Sequence, residues 1–345
     1  MLIDWLASIT RTVMFVAAAT CATALLVVLA GTRPAGFSRR VLAAAGSAAV
    51  LLIFAATMFV RSTTLDAALL EPLPGTKIVF VGDSPYHRIV VRDRGAYREM
   101  KFNLALQSRM HRGDPFGPGL AYTDAFHIGP LYRPHAKRIL LIGLGGGTAA
   151  RQFLHFYPHA EVDVVEVDPL VVDVARRFFG VTAHDRLRIH IADGRTFLAR
   201  SREKLDLIIV DAYTTNRYGD TIPPHLTTRE FFGEVAAHLS DDGIVHFHCA
   251  FAATKMMASL HATMASVFPA VVRTSGELLA SDVALIAEGE VLLARAKESP
   301  AVHLPALLPS VAALRRDPPP RDALQLTDDF APVDTLLRQH ESTRP

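Results

Sequence analysis

Cysteine is nearly missing from this sequence: among 345 residues only Cys21 and Cys249 occur. They fall in regions of very different character, which argues against a disulfide framework and against a cysteine-based zinc site. A surplus of one charge is missing too. Lysine and arginine number 36 against 34 aspartates and glutamates, a formal net charge of +2. No polybasic block is present, so no nucleic-acid partner is expected, because such a surface requires clustered cations. No internal repeat is evident either.

What is present changes character along the chain. The run from Val13 to Ala30 is apolar with only small Thr and Cys interruptions, and Val41 to Val60, "VLAAAGSAAVLLIFAATMFV", is a second uncharged run of bilayer-spanning length. Two transmembrane helices within residues 1–62 are expected rather than a cleaved signal peptide, because the second run follows so promptly. The membrane would then be met through residues 13–60, which implies a multi-pass protein of the bacterial inner membrane. Arg33, Arg39 and Arg40 in the connecting loop weakly favour a cytoplasmic loop. The donor chemistry developed below outweighs them and favours a cytoplasmic catalytic domain.

Residues 63–76, "TTLDAALLEPLPGT", carry two prolines and a glycine and read as a linker. The short β-rich runs "KIVFVG", "SPYHRIVVRD" and "YREMKFN" predict a small antiparallel β domain within residues 77–135. From Arg138 the rhythm becomes strand, helix, strand. Continuous apolar strands alternating with amphipathic helices over residues 136–298 predict an α/β domain with a parallel sheet covered on both faces. Two late strands at "AVVRTSG" and "DVALIAEG" would close it, and residues 299–345 read as a Pro-rich, irregular tail.

In open α/β sheets ligands bind beyond the carboxyl ends of the strands, so the residues where strands stop carry the functional reading. The first stop is Gly143-Leu144-Gly145-Gly146-Gly147-Thr148, a GxGxG turn in which Gly143, Gly145 and Gly147 let backbone approach a ligand closely. It lacks the third glycine of a dinucleotide fingerprint. The second is Glu166, 23 positions after Gly143, near the separation at which an acid reaches ribose hydroxyls. The third is Asp193-Gly194, suited to an exocyclic amino group and a base lying against backbone. The fourth is Asp211. Each acid alone is also a common helix cap, but acids ending three successive strands after such a loop form a specific set. With no basic residue in the loop to meet a pyrophosphate, the order predicts a class I S-adenosylmethionine-type site.

From about Ser84 to about Ala250 the chain resembles the spermidine synthase (polyamine aminopropyltransferase) family, especially its membrane-anchored or transporter-fused bacterial branch. The resemblance is carried by "SPYHRIVV", Gln107 in "LALQS", "YTDAF" at Tyr122, "GLGGGT", "VEVD", "ADGRTFL" and "VDAY", in the family's order, with "IPPHLTTREFF" and "LTDDFAPVD" after them. It implies a Rossmann-like S-adenosylmethionine-dependent transferase fold behind a small N-terminal β domain, often assembled as a homodimer. It further implies decarboxylated S-adenosylmethionine as donor, no metal, and a small amine such as putrescine as acceptor. On this resemblance Gln107 contacts the donor, Tyr122, Asp124 and Tyr213 lie on the acceptor side, and Asp211 accepts the proton of the attacking amine.

Three departures qualify that picture. Gly145 stands where the family has a loop acid, Thr214 where it has a second acid after the catalytic one, and Thr123 where it has His or Gln. Either Asp124 or Asp220 compensates, or another acceptor is used. Two alternatives follow: methyl transfer from ordinary S-adenosylmethionine to a small acceptor, or a non-catalytic nucleoside-sensing domain. In "HFHCA", with His246, His248 and Cys249, the two histidines alternate onto one strand face and could share an ion, but no third ligand lies at fitting spacing, so the group is expected to be structural, with no metal. Asp328 and Asp329 are expected to cap a helix.

Overall fold

The computed structural model describes residues 75–216, 219–250, 254–274, 276–281 and 289–338. Four strands come first: β1 (Thr76–Asp83), β2 (Arg88–Arg94), β3 (Tyr97–Phe102) and β4 (Ala105–His111) form an antiparallel meander in sequence order. Gly95 at φ +56° and Asn103 at φ +51° make two of its turns, conformations that glycine and asparagine adopt most readily. Ile89, Val91 and Met100 turn one face of this sheet into the core.

The larger sheet contains β5 (Arg138–Ile142), β6 (Glu161–Glu166), β7 (Leu187–Ile191), β8 (Leu205–Val210), β11 (Leu239–His248), β12 (Ala270–Arg273) and β13 (Glu277–Ser281), in the order β12-β13-β11-β8-β5-β6-β7, and between β8 and β11 a separate hairpin pairs β9 (Thr214–Asn216) with β10 (Gly219–Thr221). The five strands from β11 to β7 are parallel, and β13 pairs antiparallel with both β11 and β12. Alternation along the central strands feeds two separate cores. Ile139, Leu141, Leu207 and Ile209 face one; Leu140, Ile142, Ile208 and Val210 face the other. A strand buried on both sides has to be apolar throughout, which is why "RILLI" and "LDLIIV" lack a polar face.

Helices cover both faces. The helix Pro169–Phe178 shows how locally its ends are specified. Asp168 caps it by accepting from the Leu170 amide, and proline fills its first position. Gly180, at φ +71° just past its end, supplies the left-handed residue that commonly stops a helix. Val171, Val172, Val174 and Ala175 are its buried face.

The chain leaves β5 for β6 and β7 on one side and returns to β8 and β11 on the other, so the switch point lies between β5 and β8. A crevice forms at such a point beyond the strand ends. Gly143 and Asp211 stand at its two lips.

Several expectations are corrected here. The helices Ala121–Ala125 and Ile128–Tyr132 fall in the stretch expected to belong to the small β domain. Ala125, Phe126, Ile128 and Leu131 of this stretch pack in a core shared by Ile89 and Met100 of the small sheet and by Ile139 and Leu207 of the large one. A late strand is found at Glu277–Ser281, and the one expected at "DVALIAEG" falls on residues 282–288, which lie outside the described residues, and Gly289. The turn is tight, with the Thr274 amide donating to the Glu277 carbonyl at 2.9 Å, so pairing begins at once. The expected irregular tail is packed through much of its length: Leu304, Leu307 and Val311 join one core, and Leu326, Val333 and Leu336 join the other.

The expected transmembrane pair at 13–60 and the linker at 63–76, except its last two residues, lie outside the described residues. Among the described residues no helix is long and apolar enough to cross a membrane. The inner-membrane location is corrected on that finding.

Candidate active site

The crevice at the switch point is a cavity of about 340 Å³, within the range of small-molecule sites. Nine of the residues singled out from the sequence line it: Gln107, Tyr122, Gly143, Gly145, Glu166, Asp193, Gly194, Asp211 and Tyr213. Those from Gly143 to Tyr213 converge because parallel strands bring their carboxyl ends to one edge of the sheet, while Gln107 comes from β4 and Tyr122 from the helix Ala121–Ala125. Gly147 and Asp124 do not line it. Gly147, at φ +71°, is the N-cap of the helix Thr148–Phe156 and faces Val181; it shapes the turn from behind. Asp124 is fully buried and accepts from the Ala306 amide at 3.0 Å, so its carboxylate is directed into the fold. Asp220 lies on the short strand Gly219–Thr221, and its side chain is outside the described residues.

Glu166 is fixed by backbone. Its Oε2 accepts from the Leu144 amide at 3.0 Å, inside the glycine turn, and its Oε1 accepts from the Asp168 amide at 2.9 Å. Burial raises its pKa, and the two amide bonds oppose that rise. A carboxylate held through one lone pair on each oxygen keeps its remaining lone pairs for ligand hydroxyls.

Asp193 caps the helix Gly194–Arg200 through Oδ1, which accepts from the Thr196 amide at 2.9 Å, while Oδ2 meets His225 Nε2 at 2.7 Å. Burial alone would raise its pKa, but the Thr196 amide and His225 outweigh burial and hold it below the ordinary value. The capping and ligand-facing readings of this residue are thus compatible. At Gly194 an added Cβ would come 2.4 Å from Ile142 Cγ2, so only glycine lets this turn lie against β5.

Asp211 differs from the other two acids. Burial pushes its pKa up to about 6, opposed by His248 and by the hydrogen bond from the Tyr122 hydroxyl. Tyr122 also reaches the Gln107 carbonyl at 3.3 Å. Burial, then the negative charge of Asp211, keeps Tyr122 protonated far above its ordinary range. Tyr213 is held at the cavity wall by two bonds: its hydroxyl donates to the His248 carbonyl at 2.8 Å and accepts from the Ala250 amide at 2.7 Å.

Behind this pair stands a group whose connection sequence reasoning missed. His246 Nε2 and His248 Nδ1 meet the two oxygens of Glu277 at 2.9 and 2.8 Å. The histidines therefore answer to a buried carboxylate on the neighbouring strand. The missed wall residues Tyr86, His87 and His225 also line the cavity. Their signal was present in "SPYHRIVV" and "IPPHLTTREFF", which carried the resemblance without a role for any side chain. Asp328 lies outside the cavity. Its carboxylate receives both Arg195 Nη atoms at 2.7 and 2.8 Å and the Thr228 hydroxyl at 2.7 Å, joining the helix that follows Asp193 to the one that follows Thr228.

This geometry can be set beside known proteins. Residues 121–278 match the model of the spermine/spermidine synthase domain. A polyamine aminopropyltransferase of Vibrio vulnificus is 32% identical over 214 residues, covering 59% of this chain and 70% of that protein. The chain belongs to the polyamine aminopropyltransferase family. Another such enzyme, from Agathobacter rectalis, is 35% identical over 192 residues, covering 52% of this chain and 60% of its own length. Among solved structures, a probable spermidine synthase from Corynebacterium glutamicum matches with a TM-score of 0.58 at 18% identity, over 74% of this chain and 99% of that one. At that identity the likeness concerns the fold alone, a Rossmann-like α/β sheet. The matched span begins at Ala121, next to Tyr122, and ends at Leu278, next to Glu277. It therefore takes in the polyamine aminopropyltransferase strand ends that form the cavity floor, and the chain is a transferase of that family.

Proposed function

We propose that this chain transfers an aminopropyl group from decarboxylated S-adenosylmethionine to a small amine. The observation that carries the reading is Asp211: a carboxylate at the end of β8 that lines, with Tyr122, the same cavity as Glu166 and Asp193. In this reading Glu166 takes the ribose hydroxyls, and Asp193 with the Gly194 backbone takes the adenine edge. Gln107 and the Gly143–Gly145 turn flank the sulfonium arm. Tyr122 and Tyr213 border the acceptor.

The chemistry needs a neutral amine. An alkylammonium with a pKa near that of lysine is only about one part in a thousand neutral at pH 7, an adverse factor of roughly 4 kcal/mol. Asp211 accepts its proton as the nitrogen attacks the carbon beside the sulfonium. The new C–N bond forms as the C–S bond breaks, and the S–C electron pair returns to sulfur, releasing neutral methylthioadenosine. A carboxyl raised from 3.8 to about 6 narrows the proton-transfer gap by about two pK units, on the order of 3 kcal/mol. Holding both reactants in one water-poor cavity supplies further acceleration.

The test is direct. Purified protein is given decarboxylated or ordinary S-adenosylmethionine with a panel of mono- and diamines, and products are read by mass spectrometry. Methylthioadenosine with an aminopropylated amine is expected. S-adenosylhomocysteine would identify methyl transfer instead, and donor binding without either product would identify a sensor.

A further inference from the structure

Strands β8, β11 and β13 are neighbours, and their adjoining ends place Asp211, His248 and Glu277 in a row. The His248 ring lies flat against the Tyr122 ring, with centroids 4.1 Å apart and planes at 11°. The Tyr213 ring meets the His248 ring edge-on with centroids 5.7 Å apart, and its hydroxyl donates to the His248 carbonyl. Nδ1 of His248 meets Glu277 Oε1 at 2.8 Å, and His248 and Glu277 are both nearly inaccessible to solvent. Glu277 Oε2 is occupied by His246 Nε2 at 2.9 Å, while His246 Nδ1 finds no hydrogen-bond partner. That pattern fits the Nε2–H tautomer of His246. The charge complementing Glu277 then falls to His248.

We propose that His248, clamped by Glu277 and stacked on Tyr122, is a positioning residue that aims the Tyr122 hydroxyl at Asp211 and supplies the buried cation facing that carboxylate. The inference deepens the aminopropyl-transfer reading and rests on Asp211 as its proton acceptor. A flat contact between a cationic ring and a tyrosine face is attractive, and it fixes the tyrosine by its face while leaving the hydroxyl at the edge free to donate. The titratable groups packed on His248 are Tyr122, Tyr213, Glu277 and Asp211, with His246 across Glu277, so Asp211 and Glu277 are the two acids that act on it. Burial alone would lower the His248 pKa, yet Glu277 and then Asp211 raise it. Glu277 in turn is held below its ordinary value: burial would raise it, and the two histidines outweigh burial.

The experiment compares wild type, His248→Gln and Glu277→Gln. Replacing His248 by neutral glutamine leaves Glu277 uncompensated on that side, so the acidic limb of the kcat profile is expected to move up by about one pH unit. With it, kcat falls about twofold at pH 7 and about tenfold at pH 5, while donor KM stays unchanged. Glu277→Gln removes the anion along with the reason for the cation, so its limb moves less. An unmoved limb in an active, folded His248→Gln enzyme would overturn the proposal. A second measurement needs no turnover: imidazole chemical shifts of wild type should report His248 protonated at pH 7, with its midpoint falling in Asp211→Asn. A neutral His248 at pH 7 would overturn the proposal even if the protein transferred nothing, whereas a protonated His248 in a protein without turnover would uphold the pairing and count against the aminopropyl reading alone.

Discussion

Gly143 and Asp211 meet backbone to backbone across the switch point: a Cβ at position 143 would lie 2.1 Å from the Asp211 carbonyl oxygen. Gly143 also sits at φ +106°, a region that side chains rarely adopt. The glycine turn and the candidate catalytic acid are therefore parts of one geometric unit. Gly143→Ala is expected to cost about 3 kcal/mol or more of stability and to abolish donor binding. Denaturant unfolding and calorimetric titration with methylthioadenosine check both effects.

Asp211→Asn should separate activity from stability. Turnover is expected to fall at least about a hundredfold, as for loss of a general base, with methylthioadenosine binding largely kept. Because burial raises the Asp211 pKa to about 6, the folded state holds this proton more tightly than the unfolded state does. The ionised carboxylate thus lowers stability as pH rises from about 4 to 6, and the loss persists above. The asparagine variant should be more stable at pH 8, by on the order of 2–3 kcal/mol, and no more stable than wild type at pH 4. Melting temperatures at the two pH values read this directly.

The same value sets a pH profile. A base with a pKa of about 6 is protonated below it, so kcat should fall tenfold per pH unit on the acidic side of about pH 6. A limb near pH 4 would show that another group accepts the proton.

Glu166→Gln exchanges one acceptor oxygen for an amide that cannot accept. Both oxygens are engaged, by the Leu144 and Asp168 amides, so one backbone N–H must lose its partner. Methylthioadenosine affinity is expected to drop at least about tenfold, in keeping with the 1–3 kcal/mol cost of an unsatisfied buried donor. In single-turnover experiments at saturating donor, the chemical step should change much less.

Asp328→Asn probes the Arg195 clamp. The Asp328 pKa is depressed to about 2, chiefly by Arg195, so this carboxylate contributes stability above its unfolded pKa near 4 and loses it as pH falls toward 2. The variant should melt below wild type at pH 7, with the difference closing as the pH is lowered through that window. Thermal scans across the range follow it.

Much of the fold and the cavity floor was legible in the sequence. Gly143, Glu166, Asp193 and Asp211 each end a parallel strand, and such strands deliver their carboxyl ends to one edge whatever the loops do. Gly147 and Asp124 were misplaced because nearness along the chain does not say which way a position faces: Gly147 turns toward Val181 and Asp124 toward Ala306. Glu277 was illegible for a different reason. A charged residue beside Ser275-Gly276 reads as loop, yet it begins a buried strand because the β11–β13 register brings it opposite His248. The partners are 29 positions apart, and no local pattern announces that pairing.

One contact of the small sheet reaches the cavity floor. Ser84 Oγ donates to Asp168 Oδ2 at 2.5 Å, and the Asp168 amide donates to Glu166. Tyr86 and His87, which wall the cavity, follow Ser84 after Pro85 and are tied to it, since both their amides donate to its hydroxyl. Ser84 thus ties the carboxyl end of β6 to two residues of the cavity wall through a single hydroxyl, and Ser84→Ala removes that shared anchor.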